Sequence, residues 1–544
     1  MLYSLFFMTI NKKLLKAQKY LRSGYYLKAI EILDKHLKIL PDDTSGLMLR
    51  GEAFLRNEQF KLALIDYAKV VELDNKNILA LNNFSLALIR CNKPHEAKEI
   101  IQYMHELDPD NFGGFINLGK IHQALGEYQD AVSSAMRAVE IDPKSSLAYL
   151  NLGTAIGALG HTESAKQAYL MSNFFDPTCV ITQINIAQIE DNNGNYSEAI
   201  LMYENILNLD NIAPLESDLA KYYLTFSYLC TGQLEKGWAC YDYGLSELLP
   251  TGAYRSIRKF NQPQWNGDLT ESKTILVWRE QGLGDEILFS SCLNDIHDSD
   301  LKIILECDPR LVDIFQRTYP KFIVRRESFQ EDFYSSHNDF ELNIALGSLP
   351  KYFRNNIKDF ERQPTIWKPL PEYVNIVRGK LQPYRNKTLI GICWRSSLLS
   401  VNRNLHYTAL RDWEALLCNP SYQFVNLLHG DCEAEISEIE QLFDINILRW
   451  NDIDLRNDLE TVLALVTELD FVVSIGSAVS VIAAAGGVKT LVLIQESWVQ
   501  LGNSNKYHWF PNVIPFVSKV NEHVAINIGK LVNYISENIP NKKF

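Results

Sequence analysis

No C-x-x-C pair occurs in this 544-residue sequence, although it holds nine cysteines, an odd number and scattered. That spacing excludes a disulfide framework and a zinc-ribbon site, and predicts reduced core thiols of a cytoplasmic protein. Positive charge is in short supply as well. The net charge of −13 is opposite to that of a nonspecific nucleic-acid binder, and it disfavours a polyanionic acceptor. Long hydrophobic runs are missing: residues 471–488 are uncharged over about the minimum length of a membrane helix. Ser474, Gly476, Ser477, Ser480, Gly486 and Gly487 divide that stretch into strand, turn, helix and turn, so no membrane span is expected. The opening M-L-Y-S-L-F-F-M has no basic flank, a short apolar core and no small-residue cleavage site, which predicts no secretory signal. No D-x-D stands at the end of a predicted cleft strand. Asp452 and Asp454 form D-I-D ahead of an acidic, helix-like stretch, where carboxylates favour a helix start. No metal site and no bound cofactor are expected.

What is present is ordinary for globular protein, 47% hydrophobic and 22% charged, and the length predicts two to four domains. The first half is periodic. Ala29, Ala63, Ala97, Ala131, Ala165 and Ala199 recur every 34 residues. Pro41, Asn75, Pro109, Pro143, Pro177 and Asn211 keep the same period, as do Gly24, Gly126, Gly160 and Gly194. An alanine lets paired helices approach closely, a glycine ends the first helix and a proline stops the second. This pattern over residues 10–211 resembles tetratricopeptide repeats, in which two antiparallel helices per repeat stack into a superhelix. An irregular helical pair over 212–250, slipped in register, is expected to cap the array. Tyr149, Tyr169, Tyr203 and Tyr222 read as helix-packing residues.

A second pattern rides on the first: Asn83, Asn117, Asn151 and Asn185 are also 34 apart, on the first helix of each repeat. A primary amide both donates and accepts, as an extended peptide backbone requires. The arrangement resembles the asparagine ladder of eukaryotic protein O-GlcNAc transferases, which implies a groove gripping an acceptor polypeptide. The alternative is that these amides bond neighbouring helices.

Residues 251–272 hold proline, asparagine and glycine without periodicity and read as a linker. Beyond them apolar runs alternate with helical stretches, at 274–278, 302–305, 340–344, 388–394, 423–427, 471–475 and 490–494. Alternation of that kind predicts parallel sheets with helices on both faces. The most informative stretch is 274–291, T-I-L-V-W-R-E-Q-G-L-G-D-E-I-L-F-S-S, which reads as strand, glycine turn and helix start. Gly282 and Gly284 allow close backbone approach, and Asp285 stands at the helix mouth either as a cap or as a reacting group.

Together, W-R-E-Q-G-L-G-D-E-I-L-F, G-I-C-W-R-S-S and D-F-V-V-S-I-G-S-A-V-S-V-I-A-A-A-G-G look like the glycosyltransferase domain found downstream of repeat arrays in bacterial proteins. That domain is similar to the lipopolysaccharide heptosyltransferases. The likeness spans roughly Pro263 to Phe516 and includes Trp498, Gly502, Trp509 and Pro511. It implies a GT-B fold: an N-terminal Rossmann-like subdomain (273–385) on the acceptor side, a C-terminal one (386–520) on the nucleotide-sugar side, and a final helix (521–544). An N-terminal extension (1–9) precedes the array. The resemblance implies Asp285 as general base and metal independence. Arg395, Ser396, Ser397 and Arg403 follow a strand where a diphosphate would lie, as do the helix-start residues Gly476, Ser477 and Ser480. His429 falls where such enzymes contact the nucleoside. The chain departs from the family at one turn, which usually carries an Asp-Thr pair and a histidine one helical turn later.

The sequence therefore predicts an α-solenoid followed by an α/β unit. It predicts transfer of a hexosyl or related sugar from a nucleotide-sugar to a polypeptide held in the repeat groove, with homo-oligomerisation through the repeats open. The alternatives are a noncatalytic protein-interaction scaffold with a degenerate transferase-like domain, or a transferase acting on a glycan or lipid-linked saccharide.

Overall fold

The computed structural model describes residues 2–249, 255–329, 334–361, 364–397 and 405–539, with side chains from residue 12 onward. It divides into two compact units, residues 1–186 and 187–544.

Unit 1 is an array of antiparallel helix pairs: α1 (Leu2–Arg22) with α2 (Tyr26–Leu37), α3 (Thr44–Arg56) with α4 (Phe60–Leu73), α5 (Ile78–Arg90) with α6 (Pro94–Leu107), α7 (Phe112–Ala124) with α8 (Tyr128–Ile141), and α9 (Ser146–Ala158) with α10 (Thr162–Phe175). Asp43, Asn77, Asn111 and Ser145 cap successive first helices by accepting from the backbone N–H three residues on. Those caps are themselves 34 apart, so each repeat restarts its helix by one local device. The six register alanines are buried. The turn between the two helices of each repeat passes through one left-handed residue, and Glu58 and Asn92, both at φ 59°, occupy the position taken elsewhere by Gly24, Gly126, Gly160 and Gly194. Side-chain volume alternates with backbone space. Tyr67 lies over Gly51 and Tyr169 over Gly153, where an added Cβ would stand 2.8 Å and 2.6 Å from the ring.

Helix α11 (Val180–Asn192) runs across the division between units. Unit 2 continues with α12 (Tyr196–Leu207), α13 (Pro214–Cys230) and α14 (Leu234–Tyr241), so the last repeat and its cap belong with the α/β part. Residues 255–266 do not form a free linker. Trp265 N–H donates to the Asn343 carbonyl at 2.8 Å and Asn343 N–H to the Pro263 carbonyl at 3.1 Å, which lays this segment along the first sheet. Buried Arg255 pairs with Glu280 at 2.8 Å.

Two parallel sheets follow. The first contains β1 (Thr274–Trp278), β2 (Lys302–Cys307), β3 (Ile323–Arg326) and β4 (Leu342–Ala345), in the order β3-β2-β1-β4. The second contains β5 (Thr388–Cys393), β6 (Tyr422–Asn426), β7 (Ile447–Leu448), β8 (Phe471–Ile475), β9 (Thr490–Gln495) and β10 (Val513–Ser518), ordered β10-β9-β8-β5-β6-β7. Helices α15 (Leu283–Ser290), α16 (Val312–Thr318), α17 (Pro350–Phe353), α18 (Pro371–Leu381), α19 (Glu414–Leu417), α20 (Glu433–Phe443), α21 (Leu459–Thr467), α22 (Ala478–Ala485) and α23 (Ile528–Asn538) complete the described set. Strands β1, β5 and β8 are buried along nearly their whole length, as sheets covered on both faces must be. Strand order reverses at β1 in the first sheet and between β5 and β8 in the second. Those are the points where a doubly wound sheet leaves a crevice beyond its strand ends.

An aromatic cluster fastens the cap to the α/β layers. Phe289 stacks on Trp498 with centroids 5.9 Å apart, Trp238 and Trp509 close the cluster edge-on, and the Trp238 indole N–H donates to the Arg354 carbonyl at 3.0 Å. Beside it Gly502, at φ 80°, packs so closely on Gly232 that an added Cβ would lie 2.6 Å from the Gly232 nitrogen.

Candidate functional site

The turn after β1, the ends of β5, β6, β8 and β9, and the start of α22 surround a cavity of about 720 Å³. Two helix starts reach it. Gly282 caps α15 without any side-chain hydrogen bond, which leaves first-turn N–H groups without a side-chain cap, and Gly282, Leu283 and Gly284 line the cavity. A Cβ at Gly284 would stand 3.8 Å from the Ala478 Cα at the start of α22, so the positive ends of the two helix dipoles converge.

Of the residues singled out in the sequence, Gly282, Gly284, Arg395, Ser396, His429, Gly476, Ser477 and Ser480 line this cavity. Their side chains are differently engaged. Arg395 pairs with Glu435, Nε to Oε1 at 2.9 Å, and donates to the Asp431 carbonyl at 2.8 Å, so its charge is largely neutralised within the chain. Ser477 and Ser480 form a reciprocal capping box, Ser477 N–H to Ser480 Oγ at 3.1 Å and Ser480 N–H to Ser477 Oγ at 3.4 Å. Their hydroxyls therefore serve α22 first. Ser397 lies beside Gly430 and outside the cavity lining; Arg403 lies outside the described residues. The His429 imidazole is held below the usual histidine range by burial and then by the Arg456 and Arg310 guanidinium groups.

Arg310 and Arg456 also line the cavity, and neither stands out in the sequence. Arg310 grips Asp308 through Nε at 2.8 Å and Nη2 at 2.9 Å, while its Nη1 donates to the Arg456 carbonyl at 2.9 Å. The position of Arg310 just past β2 is the sequence signal that could have found it. For Arg456, four residues past the D-I-D start, the signal was the basic residue itself.

Asp285 faces elsewhere. It lines a second cavity of about 450 Å³ with Glu280, Ser256, Tyr222 and Phe226 of α13, Tyr241 and Trp498. Gly282 belongs to both linings, so one glycine turn separates the two spaces. The Asp285 carboxyl makes no hydrogen bond or ion pair among the described residues. Burial, then the nearby Glu280 charge, pushes it up to about 6. Glu280 is neutralised by Arg255 and accepts from Gly347 N–H at 3.1 Å. The aromatic wall supplied by α13 was invisible in the sequence, because Tyr222 sits in the repeat-like part and reads as packing, and no pattern singles out Phe226 beside it.

Within unit 1 the four asparagines split. Asn117 is buried, and its amide donates to the Asn82 carbonyl at 3.2 Å, Asn82 Oδ1 at 3.0 Å and Ser85 Oγ at 3.1 Å. It bonds the neighbouring helix, which corrects its place in a peptide-gripping ladder. The Asn151 amide nitrogen is buried and has no hydrogen-bond partner among the described residues. Asn83 and Asn185 are half-buried and form no side-chain hydrogen bond among the described residues. Among the described residues, His122, Glu127 and Asp130 have metal-ligand spacing. Lys98 Nζ already sits 2.8 Å from Glu127 Oε2 and supplies that carboxylate with its cation. Asp452 pairs with Lys380 at 2.7 Å, and Asp454 accepts from Arg456 and Asn457 N–H groups.

No described helix is long and apolar enough to cross a membrane. Residues 114–145 match the tetratricopeptide repeat family. The chain is 29% identical over 306 residues to Protein FlbA of Caulobacter vibrioides, covering 54% of this chain and 50% of FlbA. It is 29% identical over 125 residues to RNA polymerase II-associated protein 3 of Mus musculus, covering 23% of this chain and 19% of that protein. The chain thus spans half the length of the first relative and about a fifth of the second. Among solved structures, a tetratricopeptide repeat protein from Parabacteroides merdae aligns at TM-score 0.36 and 16% identity, over 43% of this chain and 91% of that one. The type IV pilus biogenesis factor PilW aligns at 0.34 and 18%, over 37% and 92%. With the 34-residue period, the in-phase caps and the family match, the helical array is a tetratricopeptide-repeat solenoid, a scaffold for protein interaction, followed by a region of parallel sheets.

Proposed function

We propose that the α/β region is a glycosyltransferase of GT-B type, moving a sugar from a nucleotide-sugar to a polypeptide recruited by the repeats, without a metal, as the resemblance implies. The observation that carries this reading is Asp285, a carboxyl free of partners and raised to about 6, one glycine turn away from a cavity fed by two helix starts. A leaving diphosphate in the larger cavity would be stabilised by the N–H groups of α15 and α22 and by Arg456. At the Gly282 turn, which lines both cavities, Asp285 would accept the proton of the acceptor hydroxyl as that oxygen attacks the anomeric carbon and the nucleoside diphosphate leaves into the larger cavity. General-base assistance of this kind contributes about 10²–10⁴-fold.

Calorimetric titration of the chain against UDP, GDP, ADP and CMP, without metal, tests the donor site. Saturable binding of one nucleotide is expected, and no binding by any of them from folded protein rejects the reading. A noncatalytic scaffold is the second reading, and the neutralisation of Arg395 by Glu435 favours it.

A further inference from the structure

The first helices of the repeats line the inner wall of the solenoid: α5 packs on α7 and α7 on α9. Across these three helices there is no aspartate or glutamate, in a chain whose net charge is −13. The second helices α6, α8 and α10 each carry at least one acid. These three helices carry two cations, Arg90 on α5 and Lys120 on α7. Lys120 is half-buried and has no carboxylate partner among the described residues; burial and the Arg90 charge both oppose its protonated form. Arg90 is held over the Phe60 ring at 5.8 Å, which fixes a guanidinium without neutralising it. Two like charges on a wall stripped of acids are a standing electrostatic cost that an anionic ligand relieves. The unbonded Asn83 amide on α5 adds a donor and acceptor suited to a peptide backbone.

We propose that the inner wall formed by α5, α7 and α9 binds an acidic polypeptide segment, with Lys120 as its central anchor and Arg90 and Asn83 beside it. The overall negative charge disfavours polyanions at long range, and this local reversal selects where an acidic stretch can dock. The inference deepens the polypeptide-binding part of the proposed function and stands apart from transfer, because binding needs no nucleotide-sugar.

Fluorescence anisotropy with the full chain and a labelled twelve-residue peptide alternating glutamate and serine tests it against the glutamine–serine twin. The glutamate peptide binds about tenfold more tightly, the factor that accompanies 1.4 kcal/mol, and the difference shrinks with salt. Lys120→Met and Arg90→Gln each erase most of that preference, with circular dichroism reporting the fold of both. Equal binding of the two peptides, or a folded Lys120→Met chain with the wild-type preference, overturns the proposal. An oligonucleotide of equal charge binding as tightly as the glutamate peptide overturns the assignment to a polypeptide. Nucleotide titration of the same samples reports separately on the transferase reading.

Discussion

The Arg395 guanidinium is held by the Glu435 carboxylate, Nε to Oε1 at 2.9 Å, at the rim of the larger cavity. The same carboxylate accepts the Trp394 indole N–H at 2.7 Å. Glu435→Gln keeps an acceptor for Trp394 and releases the guanidinium. Nucleotide affinity is expected to rise about three- to tenfold, since a charge-assisted hydrogen bond to phosphate is worth about 1 kcal/mol or more. Arg395→Ala alone is expected to change affinity less than twofold. Calorimetry on both variants checks the pair, and a large loss in Arg395→Ala would show that Glu435 yields the arginine to ligand.

Asp285 links activity and stability to pH in opposite directions. As a base it works ionised, so transfer is expected to rise with pH through about 6 and level off above. Asp285→Asn removes this limb and slows transfer about 10²–10⁴-fold, with nucleotide affinity nearly unchanged. The raised carboxyl prefers its neutral form in the fold, so its contribution to stability is present below the unfolded value and is lost as pH rises toward 6. The asparagine variant should therefore gain up to about 3 kcal/mol over wild type at pH 8 and almost nothing at pH 4. Denaturant unfolding at the two pH values reads the difference.

Gly502→Ala is expected to destabilise unit 2 by about 3 kcal/mol or more, because a left-handed φ and a Cβ 2.6 Å from the Gly232 nitrogen act together. Gly126→Ala, at φ 74° with no atom near its Cβ, should cost unit 1 only about 1 kcal/mol. All nine tryptophans follow residue 186, so tryptophan fluorescence follows unit 2 and circular dichroism adds unit 1.

Glu58 adopts φ 59° at a turn where four other repeats have glycine. Its side chain is exposed and forms no ion pair among the described residues, so Glu58→Gly should stabilise unit 1 by about 0.5–1 kcal/mol. Thermal unfolding followed by circular dichroism measures it.

The 34-residue period was legible because the same small set of packing and turn residues must recur wherever one helix pair meets the next. Strands buried on both faces, such as β1, β5 and β8, also announced themselves as apolar runs. The strands that escaped are marginal in composition. β3 reads I-V-R-R with Ile323 exposed, β7 has two residues, and β10 carries Pro515 on a half-exposed edge. β3 and β10 are edge strands that bury little, so their sequences need not look hydrophobic, whereas both residues of β7 are buried and it escaped by its length alone. At the site, glycines and hydroxyls after strands marked the crevice, but the direction of Asp285 depended on which space lies behind the turn. That space is closed by Tyr222 and Phe226, contributed by helix α13, and no local pattern in the α/β half could name them.

Gly232 and Gly502 meet backbone to backbone, and this contact has a consequence for the order in which the protein is made. During synthesis the cap helices α13 and α14 emerge long before the segment that carries Trp498, Gly502 and Trp509. Helix pairs of unit 1, whose contacts are with near neighbours in the chain, can form as they appear. The cap must wait, with Trp238 and Phe226 lacking their partners, until the segment that carries Trp498 and Trp509 has been made. A nascent chain stalled before residue 498 would expose this apolar surface, and docking of the segment that carries Trp498 and Trp509 is the step that seals it.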